Sequence, residues 1–506
     1  MFGYDQAAFA SIDFSVAMTE DLDRQLATHL DKGPYQEDLT FAIWRPSRGA
    51  RRYSAILQRL VLPAADERVL QGNVAFTAAY LRRALREVPE GCGLALLHSH
   101  LGPGWQDMSS DDVVAERDRM GGAVAARTNL PVLGLTWGTD GSWSARFWLR
   151  AEPRRYERHW AATVRVVGRR LRTTFHPTLM PRPVVAGGQV ATVSVWGKPA
   201  QDDLARCGVG VIGLGSVGSI VAESLSRTGV QALTVIDHDV IEERNLDRTL
   251  GATAKDAQDA TLKVSVSERV VTDSHTAARF KVMAIPASIL SPMGANAALD
   301  CDVLMSCVDR PLPRHLLNVI AKAHLIPIVD GGILARVKDE QLIHVDWRVH
   351  TVGPERECLH CVGALRRSDV RLDMDGLLDR PDYIDGLPEH ERQILSRRNV
   401  FSFSLSVAAH QTLQLIGLVT GLERVGGIGP QHYQAYPGKM SAGAIGRCEA
   451  ECEIDELTSS ALDIAPILRD PDPKPREGDG LNRVSDNLPS RLVTKVRSVL
   501  SALLRH

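Results

Sequence analysis

Short, wholly apolar runs separated by turn residues dominate the middle of this chain. Val209–Ile212 is such a run and is followed by Gly213-Leu-Gly215-Ser-Val-Gly218 and then by a helical pattern over Ser219–Thr228. Apolar runs of this length read as strands buried on both faces, the signature of a parallel sheet. A second run, Ala232–Ile236, ends at Asp237, and a third, Asp302–Val308, has Asp309 just beyond it. Nearer the start, Leu39–Trp44 and Leu94–Leu97 predict strands, the second leading directly into His98-Ser99-His100. Val113–Met120 predicts a helix, Ser142–Leu149 a strand, and Tyr156–Arg172 an Arg-rich helix followed by a Pro-containing connector over His176–Val185. The longest apolar helix, Phe401–Leu422, is interrupted by His410, Gln411 and Gln414 and is too polar to span a bilayer. Asp470–Gly480 reads as a linker from its Pro, Gly and charge content. Beyond it Leu492, Val493, Val496, Val499, Leu500 and Leu503 recur at helical spacing, predicting an amphipathic helix that docks on this chain or a dimer mate.

Length and charge narrow the class. A chain of 506 residues predicts two to four domains. A net charge of −2 argues against nucleic acid as the main partner, because binding phosphate backbones needs a basic surface. With no basic-then-apolar start and no bilayer-spanning run, the expectation is a cytoplasmic protein without a membrane partner. Eight cysteines, four of them in close pairs, point to metal ligation in a reducing compartment.

A glycine turn between strand and helix binds nucleotide phosphates, but alone it does not separate a NAD-binding oxidoreductase from an ATP enzyme. The spacing from the turn suits Asp237 to a ribose hydroxyl. Asp239, Asn245, Arg248 and Lys263 then add a carboxylate, an amide and two cations near the phosphates. Hydride transfer has no use for such cations, whereas nucleotidyl transfer must neutralise charge growing on phosphate oxygens. With these residues the chain resembles the ThiF/MoeB and ubiquitin-activating enzyme family. That resemblance implies a Rossmann-like, doubly wound domain that adenylates the C-terminal glycine carboxylate of a ubiquitin-like protein. Gly213, Gly215, Gly218, Asp237, Asp239, Asn245, Arg248 and Lys263 would hold ATP, and Asp309 would hold Mg²⁺. Arg248 and Asp309 would also be catalytic, and the domain would form a homodimer.

The first part of the chain carries a second chemistry. Residues two apart in a strand point the same way, so His98 and His100 can reach one ion. After a glycine-containing loop comes Ser109-Ser-Asp-Asp112, which places Asp112 in the first turn of a helix as a third ligand. Two histidines and an aspartate leave the fourth position of a tetrahedral zinc open, as catalytic zinc requires. Glu37 is the candidate general base and Ser109 the candidate oxyanion donor. Ser109 with Asp112 also reads as a helix cap. This pattern resembles the JAB/MPN metalloprotease family, which implies cleavage after the C-terminal glycine of ubiquitin-like proteins.

Cys358-Leu-His-Cys361 and Cys448-Glu-Ala-Glu-Cys452 form two chelating pairs, and four thiolates make a closed structural zinc site. The acceptor cysteine that activating enzymes place in the crossover segment is missing from Gly363–Asn399. Either Cys358 or Cys361 serves instead, or the enzyme stops at the adenylate. The expected organisation is α/β throughout: a JAB/MPN-like domain over 1–155, a connector over 156–189, a ThiF/E1-like domain over 190–457, and a linker with the C-terminal helix over 458–506. The expected function is processing and activation of a ubiquitin-like protein in a bacterial conjugation or antiviral system, with an E2-like partner. The alternatives are sulfur-carrier activation for thiolation or cofactor synthesis, or a NAD-binding domain joined to a non-catalytic docking domain.

Overall fold

The apolar runs assemble into two sheets in the computed structural model, which describes residues 12–152, 154–184, 186–338, 341–380, 383, 399–422 and 429–469. The first half supplies β1 (Asp13–Thr19), β2 (Leu39–Arg48), β3 (Arg52–Val61), β4 (Arg68–Gln71), β5 (Asn73–Phe76), β6 (Gly93–Ser99), β7 (Val132–Trp137), β8 (Trp143–Glu152), β9 (Arg155–Trp160), β10 (Thr163–Val167) and β11 (Leu171–Phe175). Nine of these form one mixed sheet in the order β11-β10-β1-β3-β2-β6-β7-β8-β9, while β4 and β5 pair as a small hairpin. Alternation along β6 divides its side chains between two cores. Ala95 and Leu97 pack with Phe14, Trp44 and Phe147 on one face. Leu94 and Leu96 pack on the other with Tyr80 and Val124, from the helices Ala78–Glu87 and Gly121–Thr128. His98 continues this second set and so faces the helical layer.

Two sequence expectations are corrected here. The helix predicted over Tyr156–Arg172 is instead three strands: β9 runs antiparallel to β8, β10 parallel to β1, and β11 antiparallel to β10. Thr163–Val167 is wholly buried, and its β-branched residues suit an interior strand better than a helix. The first sheet therefore runs to Phe175, past the expected boundary at 155, and the Pro-containing stretch follows it. The helix expected at Val113–Met120 is also not regular. It begins as α-helix at Ser110–Val113, passes through a π-helical stretch at Val114–Met120 and resumes as α-helix at Gly121–Thr128.

The second half supplies β12 (Gly208–Ile212), β13 (Ala232–Ile236), β14 (Lys281–Ile285), β15 (Val303–Ser306), β16 (Ile328–Lys338), β17 (Gln341–Val352), β18 (Gln431–Gln434) and β19 (Lys439–Ala442). They lie in the order β14-β13-β12-β15-β16-β17-β18-β19. Pairing is parallel from β14 to β16, as the apolar runs predict, and antiparallel beyond, so the sheet is mixed. The helix Phe401–Thr420 packs on β16 and β17. Its two glutamines are buried against the sheet: Gln411 Nε2 donates to the carbonyls of Ser306 and Val329, and Gln414 Nε2 to that of Val349. Among the described residues no helix is long and apolar enough to cross a membrane. The linker at Asp470–Gly480 and the amphipathic helix beyond it lie outside the described residues.

The halves meet at a buried joint. Arg52 Nη1 donates to Asp302 Oδ1 at 2.6 Å, Arg52 Nε donates to the Leu299 carbonyl at 3.2 Å, and Ser47 Oγ lies 2.8 Å from His324 Nδ1. Ala17, Ile56, Val167 and Leu171 share one apolar cluster with Leu204, Cys207 and Leu418. Cys207, Asp302 and His324 each precede a parallel strand, so the joint covers the amino ends of the second sheet. The glycine turn lies at the carboxyl ends, roughly 17 Å away along the five residues of β12. On the other side, eight residues of β2, about 27 Å, separate Ser47 at the joint from Leu39 beside His98. The two candidate centres are thus on opposite sides of the joint.

Asp302 is the counter-charge for two buried arginines, since Arg165 Nε lies 3.6 Å from it as well. Asp302→Ala is expected to destabilise the chain by about 3–5 kcal/mol, because it strands buried charge. Urea unfolding checks this, and an unchanged midpoint would contradict it.

Candidate functional site

The register between β2 and β6 builds the first site. Leu39 pairs with His98 in an antiparallel ladder, so Glu37 comes level with His100 on the same face. Asp112 enters from the start of the helical layer, where it closes a capping box with Ser109. Asp112 N donates to Ser109 Oγ at 3.2 Å and Ser109 N donates to Asp112 Oδ2 at 2.7 Å. Ser109 caps the helix, and the cap aims the Asp112 carboxylate at the two histidines.

His98 Nε2 and His100 Nε2 are 3.2 Å apart, His98 Nε2 is 3.0 Å from Asp112 Oδ1, and His100 Nε2 is 3.3 Å from Asp112 Oδ2. Ligand atoms around a tetrahedral ion with bonds of ~2.05 Å sit ~3.3 Å apart. The three groups fit one zinc ion and leave a fourth corner for other ligands. Burial disfavours the charged Asp112 carboxyl, but hydrogen bonds from His100 and His98 outweigh it and hold the group well below the usual carboxylate range. Glu37, half-buried, is pushed up by burial and pulled down by His100 and His98. Its backbone N–H is tied to the Gly72 carbonyl of the β4–β5 hairpin at 3.0 Å. The sequence reading missed that hairpin's role in fixing Glu37.

The second site lies at the carboxyl ends of β12, β13 and β15. Gly213 has φ of +86°, and a Cβ at Gly218 would fall 1.8 Å from the Gly213 carbonyl oxygen, so the turn closes only with glycine at both positions. Gly215 faces open space, and the helix Gly218–Thr228 starts directly behind the turn. Lys263 Nζ donates to Asp239 Oδ2 at 2.9 Å, just beyond the carboxyl end of β13. Asp309 is exposed just beyond β15. Arg248 is mostly buried and donates to the Arg244 carbonyl and to Asp247.

Two residues take structural roles that the spacing did not anticipate. Asp237 is buried and both its oxygens accept backbone N–H groups, from Leu214 in the glycine turn at 2.6 Å and from Asp239 at 2.8 Å. Its carboxylate braces the turn, which leaves Asp239 as the more exposed of the two. Asn245 Oδ1 accepts from Glu242 N at 3.0 Å and caps a short 3₁₀ turn. One contributor was not legible at all: Asn399, ahead of the helix Phe401–Thr420, donates to Ser216 Oγ in the glycine turn at 2.8 Å across a sequence separation of 183.

Cys358, Cys361, Cys448 and Cys452 come together with their sulfur atoms within 4.8 Å of one another. Cys358 Sγ and Cys452 Sγ are 3.7 Å apart. Sulfur ligands of one tetrahedral zinc, with bonds of ~2.3 Å, are ~3.75 Å apart, so the cluster fits that ion. The hydrogen bond from Cys448 pulls the Cys358 thiol down to about 4, and burial pushes Cys361 up to about 12. Elsewhere burial pushes Cys301 up to about 12 and raises Cys207 and Cys307 as well, which makes them poor nucleophiles. Cys452→Ser is expected to release one zinc per chain and to lower Tm by at least about 4 °C. Metal analysis and thermal unfolding check this; full zinc content in the folded variant would contradict it.

The fold and these residues define the second half as a Rossmann-like α/β unit with a nucleotide-type glycine turn. Residues 187–435 match the ThiF family, so this half is a ThiF-type, E1-like domain. The chain is similar to the adenylyltransferase and sulfurtransferase UBA4 of Yarrowia lipolytica, 27% identical over 155 residues, covering 29% of this chain and 36% of that protein. It is similar to the adenylyltransferase and sulfurtransferase MOCS3 of Mus musculus, 26% identical over 193 residues, covering 37% and 39%. The ubiquitin-like modifier-activating enzyme 5 of Drosophila willistoni is 25% identical over 132 residues, covering 25% and 32%. The chain thus spans about a third of the length of these relatives. Among solved structures, E. coli MccB with AMPCPP and MccA is similar at 16% identity and a TM-score of 0.40, covering 53% of this chain and 74% of that one.

Proposed function

We propose that the second half of this chain uses ATP to adenylate the C-terminal glycine carboxylate of a small carrier protein of ubiquitin-like fold, and that the first half is a zinc peptidase of JAB/MPN type that exposes this glycine. The observation that carries the activating half is the Lys263–Asp239 pair beside an open glycine turn, inside the segment that matches the ThiF family. A carboxylate approaching a triphosphate is repelled, so the site needs cations aimed at the phosphates, and Lys263 and Arg248 supply them. Backbone N–H groups of the turn and of the helix Gly218–Thr228 meet phosphate oxygens. The carboxylate oxygen bonds to the α-phosphorus and pyrophosphate leaves with the electrons of the broken P–O bond. Asp309 would hold the Mg²⁺ that neutralises the departing charge.

Sulfur-carrier activation is favoured over the conjugation and antiviral reading, and over NAD chemistry, by relatives named as adenylyltransferases and sulfurtransferases. It also accommodates the absence of cysteine from Gly363–Asn399, since a sulfide donor can attack the carbonyl carbon of the acyl adenylate and displace AMP, leaving a thiocarboxylate. No E2-like partner is needed on this reading, while the homodimer is retained as part of the proposal.

For the peptidase half, the tetrahedral spacing of His98, His100 and Asp112 is the supporting observation. Zinc bound there supplies Lewis acidity to the scissile carbonyl. Glu37 takes a proton from the attacking water and delivers it to the leaving amine, and the Ser109 hydroxyl hydrogen faces the developing oxyanion. The test is ATP–pyrophosphate exchange with radiolabelled pyrophosphate across a panel of ubiquitin-like carriers ending in glycine. Exchange is expected only with a carrier whose terminal glycine is free, and a panel that supports none would overturn the proposal.

A further inference from the structure

The serine between the two candidate zinc ligands points away from them. Along β6 it continues the set of Ala95 and Leu97, so Ser99 faces the helix Glu20–Leu30, while His98 and His100 turn to the opposite layer and meet Asp112 there. Ser99 and Asp38 are both buried and stand opposite each other, one step beyond the Leu39–His98 pair. A regular antiparallel pair at this step exchanges two N–H···O=C bonds. Here Ser99 N donates to the Asp38 carbonyl at 3.0 Å, but the return bond runs to the side chain, with Asp38 N donating to Ser99 Oγ at 3.0 Å. The hydroxyl hydrogen has the Leu30 carbonyl, at the end of the helix, at 3.2 Å and the Asp38 carbonyl at 3.5 Å.

Two hydrogen bonds thus clamp the main chain between the histidines to the residue next to Glu37. The Asp38 carboxylate is gripped as well: Oδ1 accepts from Leu39 N at 2.8 Å and lies 3.2 Å from Arg68 Nε, in the hairpin whose Gly72 carbonyl holds Glu37 N. Lys32 Nζ and His29 Nε2 each stand 3.7 Å from Oδ2. The Ser99 hydroxyl stands in for a carbonyl at the step where the regular ladder stops, since β2 begins at Leu39 and β6 ends at Ser99. Without that hydroxyl, Asp38 N–H would be a buried donor lacking its acceptor, and Glu37 would follow any shift of the chain that satisfied it.

We propose that Ser99 is a positioning residue for the general base: its hydroxyl, accepting from Asp38 N and donating to the Leu30 carbonyl, sets the place of Glu37 relative to His98 and His100 without touching zinc or substrate. The proposal rests on the peptidase reading of the first half. It is tested on the full chain with two readouts. Zinc titration against a chromophoric chelator reads the site that His98→Ala removes, and steady-state kinetics follow cleavage of ubiquitin-like carriers fused through their terminal glycine to a fluorescent protein. Ser99→Ala is expected to keep zinc affinity and KM within about 3-fold of the parent while kcat falls by about 10–100-fold, the scale of a small misplacement of a reacting group. Ser99→Thr keeps the hydroxyl on a β-branched side chain suited to a strand, and is expected to recover kcat to within about 3-fold of the parent. Parent kcat in Ser99→Ala would overturn the proposal, as would loss of zinc in step with cleavage or a Ser99→Thr variant no faster than Ser99→Ala. A parent chain that cleaves none of the fusions would instead overturn the peptidase reading beneath it.

Discussion

Glu37→Gln is expected to slow cleavage of a glycine-linked carrier fusion by about 10²–10⁴-fold while zinc content stays at the parent level. The expectation follows from register: the Leu39–His98 pairing brings Glu37 level with His100, yet Glu37 is not among the three groups whose atoms stand at tetrahedral spacing. A glutamine keeps the shape and the backbone tie to Gly72 but cannot take a proton. Loss of zinc along with activity would make Glu37 a ligand, and retained cleavage would remove it from the chemistry. His98→Ala is the contrasting control, expected to lose zinc and cleavage together.

Lys263→Ala is expected to reduce carrier-dependent ATP–pyrophosphate exchange by about 10²–10³-fold, the scale of removing one group that stabilises developing charge. Lys263 starts a helix, and its backbone N–H is held by the Asp239 carbonyl at 2.9 Å, so the main chain keeps its position when the side chain is cut back. The variant also removes the Lys263 partner of Asp239, which would add to repulsion of the phosphates. Because the proposed peptidase centre lies on the other side of the joint, fusion cleavage should be unchanged in Lys263→Ala. Steady-state exchange and cleavage assays on the same preparation check both halves of the expectation, and equal loss of both activities would contradict it.

Much of the second half was legible because its information is local. The apolar runs at Val209–Ile212 and Ala232–Ile236 became neighbouring parallel strands, and the glycine turn sits between strand and helix as its spacing requires. The positions of Asp237 and Asn245 were legible but their partners were not, since short polar side chains near a turn satisfy backbone groups first. The error at Tyr156–Arg172 has a different origin. Arginines at Arg158, Arg165 and Arg172 gave a charged, helix-like pattern, whereas Arg165 is fully buried at the joint and points to Asp302 and the Leu325 carbonyl. Long-range partners of that kind leave no periodicity in the sequence. The same holds for Thr136, Arg146 and Glu116, which belong to β7, β8 and the π-helical stretch and meet only when that stretch packs against the two strands. Gln411 and Gln414 were correctly taken as too polar for a membrane, but the carbonyls they bind became visible only in the folded sheet.

The central claim is that the glycine turn of the second half serves carboxylate activation by ATP. The most direct measurement is the intact mass of a glycine-terminated carrier after incubation with the chain, ATP and Mg²⁺ and a denaturing quench. The account predicts a carrier that has gained one adenylyl group on its terminal glycine, with one pyrophosphate released for each. Unmodified carriers throughout the panel, together with binding of a nicotinamide dinucleotide at the glycine turn, would contradict it.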